Sequence, residues 1–206
     1  MTSGHDIVHL ARVMAVAGAL SLNWAATSQA QRTAPVPDWN LQALMATMHA
    51  VRSSTARFVE TKYVHLLNQA QRSSGQLNYV APNYLQKTTT EPQAARLTIN
   101  GDQLTVEQQG QRTRQISLRD HAEAGALVEC IRATLAGDLP ALTRYFTTTL
   151  EGRADGWTLT LTPREARLRE LVATIRIAGE RNAVRDVQTL EADGDRTDMA
   201  VLPDPK

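Results

Sequence analysis

Between Arg57 and Leu118 the sequence meets a turn every few residues, and the segments between turns alternate apolar with polar side chains. Strands joined by connections this short can pair only antiparallel. Asn100-Gly101 is the clearest turn, with Leu97 and Ile99 before it and Leu104 and Val106 after it. Ser73-Ser74-Gly75, Ala81-Pro82-Asn83, Glu91-Pro92 and Gln109-Gly110 supply the other breaks. The reading is a meander of about six strands.

The period differs on either side of this region. Leu41, Leu44, Met45, Met48 and Val51 recur at three- and four-residue spacing, which predicts a helix of about four turns, capped by Asp38 and ended by Ser53-Ser54. Ala124, Leu127, Val128, Ile131 and Leu135 form a second stripe, opened by Asp120 with Glu123 in a capping-box pattern and stopped by Gly137. A short helix over 139–145 follows, capped by Asp138. Strands then resume, with Phe146, Thr148 and Leu150, then Trp157, Leu159 and Leu161, then Leu171, Ala173, Ile175 and Ile177 in alternation. Segments 184–190 and 198–202 supply the last two candidates. The fold class is α+β, mainly antiparallel β.

The first thirty residues carry a different signal. Arg12 precedes the uncharged apolar run 13–22, and Ser28-Gln29-Ala30 offers small residues where a signal peptidase reads. The run is well short of the ~20 apolar residues of a membrane span. The expectation is cleavage near Ala30, leaving residues 31–206 as a single domain, soluble in the periplasm.

Composition excludes several functions. With 22 basic and 21 acidic residues the chain has no basic stripe for nucleic acid. One cysteine, Cys130, cannot form an internal disulfide, and its place on an apolar helix face reads as core packing. His49, His65 and His121 lack metal-ligand spacing. No nucleophile, base and orienter can be named together, so neither an enzyme nor a cofactor is expected.

A sheet with one apolar face must cover that face or curl around it. Helices laid across the open side would form either a fixed core or an aliphatic chamber, and methionine on the first helix suits a surface that repacks around variable partners. Periodicity alone leaves both alternatives open.

Several short segments bear on the choice. They are Phe58-Val59-Glu60 after the first helix, Ser74-Gly75-Gln76-Leu77-Asn78-Tyr79 with Ala81-Pro82, then Leu85-Gln86-Lys87 and Glu91-Pro92. Asn100-Gly101-Asp102-Gln103-Leu104, Leu135-Ala136-Gly137-Asp138 and Gly156-Trp157-Thr158-Leu159-Thr160-Leu161-Thr162-Pro163 follow. Their order and spacing, from about Asp38 to Val201, resemble the LolA-like family of periplasmic outer-membrane lipoprotein carriers. The resemblance implies an incomplete, curved β-barrel, a half-barrel closed by a helical lid, that carries the acyl chains of a lipid, glycolipid or lipoprotein toward the outer membrane. It implies an inner-membrane exporter and an outer-membrane acceptor as partners, and a monomer without cofactor or metal.

On that reading the ligand-binding residues are Trp39, Leu41, Leu44, Met45, Met48 and Val51 from the first helix. Phe58, Leu77, Tyr79, Leu85 and Lys87 come from the first strands, and Leu97, Leu104 and Val106 from the hairpin. Leu127, Val128 and Ile131 come from the second long helix. Two departures resemble a divergent branch. Ala81 stands where the carriers place a lid-locking arginine, and Lys87 falls about where they place an aromatic. Lys87 could meet an anionic head group, Glu60 or Glu107. The alternatives are a lipid-sensing adaptor of the same fold, or a hydrolase of lipid-linked substrates.

Overall fold

A computed structural model describes residues 39–65 and 69–204. The expected signal peptide, the Asp38 cap and residues 66–68 lie outside the described residues. The first element, α1 (Leu41–His49), is shorter than its apolar spacing predicts. Asn40 caps it, its Oδ1 accepting the Ala43 N–H at 2.9 Å. Ser53-Ser54 does not serve as a stop but opens the first strand, β1 (Ser53–Tyr63).

The meander follows as β2 (Gln71–Val80), β3 (Tyr84–Glu91), β4 (Ala95–Asn100), β5 (Gln103–Gln108) and β6 (Arg114–Ser117). Ser73-Ser74-Gly75, expected as a turn, lies inside β2. Its composition misleads because Gly75 is needed for another reason. The β2–β3 register slips between Ser74 and Gly75, and a Cβ at position 75 would stand 1.9 Å from the Thr88 carbonyl oxygen. The glycine admits a close backbone approach at a bulge. The hairpin at Asn100 forms as expected, although Asn100 pairs with Gln103, so Gly101-Asp102 is the two-residue loop, with Gly101 at φ +57°.

A single 3-10 turn (Leu118–Asp120) leads into α2 (Ala122–Ala136). The expected capping box does not form: Asp120 belongs to the 3-10 turn and His121 takes the cap position without a side-chain bond. Gly137 ends α2 at φ +68°. Asp138 caps α3 (Leu139–Tyr145), its Oδ1 accepting the Ala141 N–H at 3.0 Å. Then come β7 (Phe146–Arg153), β8 (Gly156–Pro163), a one-turn helix α4 (Ala166–Arg169), β9 (Val172–Glu180), β10 (Ala183–Glu191) and β11 (Arg196–Pro203). Leu171 falls outside β9. An irregular pairing at Leu190/Glu191 shifts the strand's phase, so Val172 and Ile175 both face inward.

All eleven strands form one antiparallel sheet in the order β6-β5-β4-β3-β2-β1-β11-β10-β9-β8-β7. The two meanders meet where β1 pairs with β11, Phe58 opposite Val201. β6 and β7 do not pair with each other, so the sheet is an incomplete barrel. Apolar side chains from β4 and β5 near one edge, and from β8 and β9 near the other, belong to one core cluster with α1 and α2. A flat sheet of this width could not share one core, so the sheet is curved, with the helices as a lid over its concave face. Among the described residues no helix is long and apolar enough to cross a membrane.

Candidate functional site

Cross-strand register arranges the concave face in rows. One row runs Ser54, Tyr79, Leu85, Ile99, Leu104, Ile116 from β1 to β6. The next runs Ala56, Leu77, Lys87, Leu97, Val106. Phe58 begins a third, opposite Gly75. Beyond it Glu60 faces Ser73 on one side and Met199 on the other, and polarity rises.

The lid seals the apolar rows. Leu44, Met45 and Met48 of α1 are buried, as are Leu127 and Val128 of α2. They share one cluster with Phe58, Leu77, Tyr79, Leu85, Leu97, Leu104 and Val106. Trp39, Leu41, Val51 and Ile131 are half-buried and pack against it. The structure therefore gathers the sequence-derived residues around one interior, in a closed, packed arrangement. The sequence reading omitted the other half of this interior: Trp157, Leu159, Ile175, Ile177 and Met199 belong to the same cluster. Their alternation was visible, but no chemical signal marked them as lining anything.

Lys87 interrupts its aliphatic row. Its Nζ passes over the Phe58 ring, 4.7 Å from the centroid, and reaches Glu60 Oε2 at 2.7 Å. Ser73 Oγ donates to Glu60 Oε1 at 3.3 Å. Both charged side chains are largely buried, 13% and 16% exposed. Of the partners expected for Lys87, Glu60 is the one it takes; Glu107 instead faces Arg96 at 3.5 Å. Further along β1 on the same face, Lys62 lies 3.9 Å from Glu191 and 3.7 Å from Asp195. Asp195 also accepts the His65 backbone N–H at 2.8 Å. Glu191, Asp193 and Asp195 converge at the β10–β11 turn.

Two contacts fix the lid. His49, the last residue of α1, donates from Nδ1 to the Ala136 carbonyl at 3.0 Å. Gly137 sits so close that a Cβ would stand 2.1 Å from the Met45 carbonyl oxygen and 2.7 Å from the His49 nitrogen. Ala81 donates its N–H to the Arg52 carbonyl at 2.8 Å and rests on the core.

Cys130 is buried on α2, and burial, with a smaller contribution from Glu129, pushes its thiol pKa up, away from the reactive thiolate. A cleft of about 680 Å³ lies on the α2 face opposite Leu127 and Ile131, bordered by Arg119, Glu129, Arg144 and Glu165 among others. Its mixed charge distinguishes it from the apolar interior, and Val128 is the one sequence-derived residue on its wall.

The family model described as outer membrane lipoprotein carrier protein LolA-like matches residues 29–202. Among solved structures, a LolA superfamily protein from Nitrosomonas europaea is 12% identical, over 81% of this chain and 94% of that one, with a TM-score of 0.43. A DUF1329 family protein from Desulfovibrio piger is 10% identical over 78% of this chain and 88% of that one, with a TM-score of 0.43. No curated protein sequence matches the chain significantly.

Proposed function

The chain belongs to the LolA-like family of outer membrane lipoprotein carriers, and on that premise we propose that it is a periplasmic carrier holding acyl chains between its helical lid and its curved sheet. Residues 31–206 would be the working domain after removal of a signal peptide ending near Ala30. The cargo is a lipid, glycolipid or lipoprotein, received from an inner-membrane exporter and passed to an outer-membrane acceptor. The protein acts as a monomer, and no bond is made or broken.

The observation that carries this reading is the covering of the concave face. Its deepest apolar rows are roofed by a nine-residue helix that buries Leu44, Met45 and Met48. A roof this small is replaceable. Exposing three such side chains costs roughly 1.5–3 kcal/mol apiece. An acyl chain entering in their place gains about 0.8 kcal/mol per methylene, so about six to eleven methylenes offset the loss. Closed and loaded states of similar energy are what a carrier needs, because a ligand bound too well is not released. The Lys87–Glu60 pair stands beyond the apolar rows, where an anionic head group would compete for Lys87.

Native mass spectrometry of protein purified from its own periplasm tests the proposal. The expected spectrum carries adducts whose masses and fragments identify an acyl-bearing molecule. A spectrum of bare protein, together with no binding of an acyl probe in vitro, would overturn it.

A further inference from the structure

Ser54 and Tyr79 face each other across β1 and β2 at the inner end of the Leu85–Ile99–Leu104 row. Directly opposed residues of an antiparallel pair project to the same face, their Cβ atoms about 5 Å apart. Tyr79 is fully buried, and neither its hydroxyl nor Ser54 Oγ has a hydrogen-bond partner among the described residues. Buried hydroxyls almost always find an acceptor, and leaving one without is costly. Two such groups on facing strands, beneath a lid roofing an aliphatic row, are donors awaiting an oxygen.

We infer that Ser54 and Tyr79 are a carbonyl-recognition pair, donating their O–H groups to a neutral ester or amide carbonyl at the head of a bound acyl chain. The inference rests on the carrier reading and adds the chemical class of the group recognised. Two neutral hydroxyls match a neutral acceptor. A carboxylate here would bring a full charge into the apolar interior with only hydroxyls to receive it. The chain beyond the carbonyl would run along Leu85, Ile99 and Leu104, which offer contact and no polarity. The same pair makes the empty closed state less stable than an apolar interior would be, which favours opening when a ligand arrives.

The test uses displacement of bound 1-N-phenylnaphthylamine by two matched ligands, methyl laurate and dodecyl methyl ether, which differ by one carbonyl oxygen. Wild type should prefer the ester by about tenfold, the size of a good hydrogen bond in a dry site. Tyr79→Phe and Ser54→Ala should each shrink that preference for the ester over the ether, which is the quantity the comparison reads. Without ligand, Tyr79→Phe should raise the melting temperature by about 2–4 °C, since it deletes an unpaired buried hydroxyl. Equal affinity of wild type for ester and ether, an ester preference surviving in Tyr79→Phe, or a lowered melting temperature in that variant would overturn the inference and leave the carrier reading standing. Failure of both ligands to displace the probe from wild type would overturn both.

Discussion

Lys87 Nζ stands 2.7 Å from Glu60 Oε2 while lying over the Phe58 ring, 4.7 Å from its centroid. Charges removed this far from water are held by each other, and removing one strands the other. Lys87→Met should therefore destabilise the protein by about 1–3 kcal/mol, although methionine fills a similar volume. Adding Glu60→Gln should restore most of the loss. Urea denaturation of the wild type, the two single variants and the double variant closes the cycle. A double variant no better than Lys87→Met alone would show that packing, and not the charge, sets the cost.

Gly75→Ala should be among the most damaging small substitutions. The added Cβ would stand 1.9 Å from the Thr88 carbonyl oxygen, so β2 and β3 must separate where they bulge together. A loss of about 2–4 kcal/mol is expected, in the range of overpacking and backbone displacement. Gly156→Ala is the control, because a Cβ there meets nothing within 4 Å. Thermal unfolding of the two should differ clearly.

Gly137→Ala should loosen the lid in particular. The position has φ +68°, and a Cβ would press on the Met45 carbonyl and the His49 nitrogen of α1. Hydrogen exchange over residues 41–49 should quicken at least about tenfold, while the central strands β1 and β11 keep their protection. Acyl-probe association should quicken in the same variant.

Leu44→Glu tests the interior directly. Leu44 is fully buried at the centre of the α1 face. A carboxylate there would keep α1 off the sheet, because burying it unpaired is too costly. Far-UV circular dichroism should keep its sheet signature while acyl-probe binding is lost. Equal binding in the variant and the wild type would place the ligand away from this helix.

Stability should fall at alkaline pH, with an identifiable contributor. Burial raises the Cys130 thiol above its ordinary value of 9.0 and the Tyr79 phenol above 10.0, the latter partly opposed by Arg52. A group whose pKa is raised on folding lends its stability below the unfolded value and loses it as pH climbs past that value, since only the unfolded chain can ionise. Unfolding midpoints should therefore decline from about pH 9 upward. Cys130→Ala should flatten the first part of that decline, and native Cys130 should resist alkylation at neutral pH until the chain is unfolded.

Local chemistry made much of the fold legible. The hairpin at Gly101, the cap at Asp138 and the stop at Gly137 need only nearby atoms, and all three form as the residues predict. Ser73-Ser74-Gly75 misled because its glycine answers a tertiary demand, the approach of Thr88, that no neighbouring residue announces. The α1 cap is Asn40 and not the expected Asp38, and the two are equally good caps by residue type. The apolar rows could be read from alternation, whereas the Lys87–Glu60 pair joins residues 27 positions apart and depends on register. The orphan hydroxyls of Ser54 and Tyr79 were out of reach entirely, because a missing partner can be seen only once every neighbour has been placed.

The pairing of β1 with β11 puts the first and last described strands side by side at the middle of the sheet. A chain delivered with its N-terminus leading thus holds half a template until residues 196–203 arrive to complete the seam. Until then β1 offers an open border to any extended polypeptide nearby. Closing that seam is accordingly a late step that waits on β11, whereas the hairpins of the two meanders join near neighbours and can form before it.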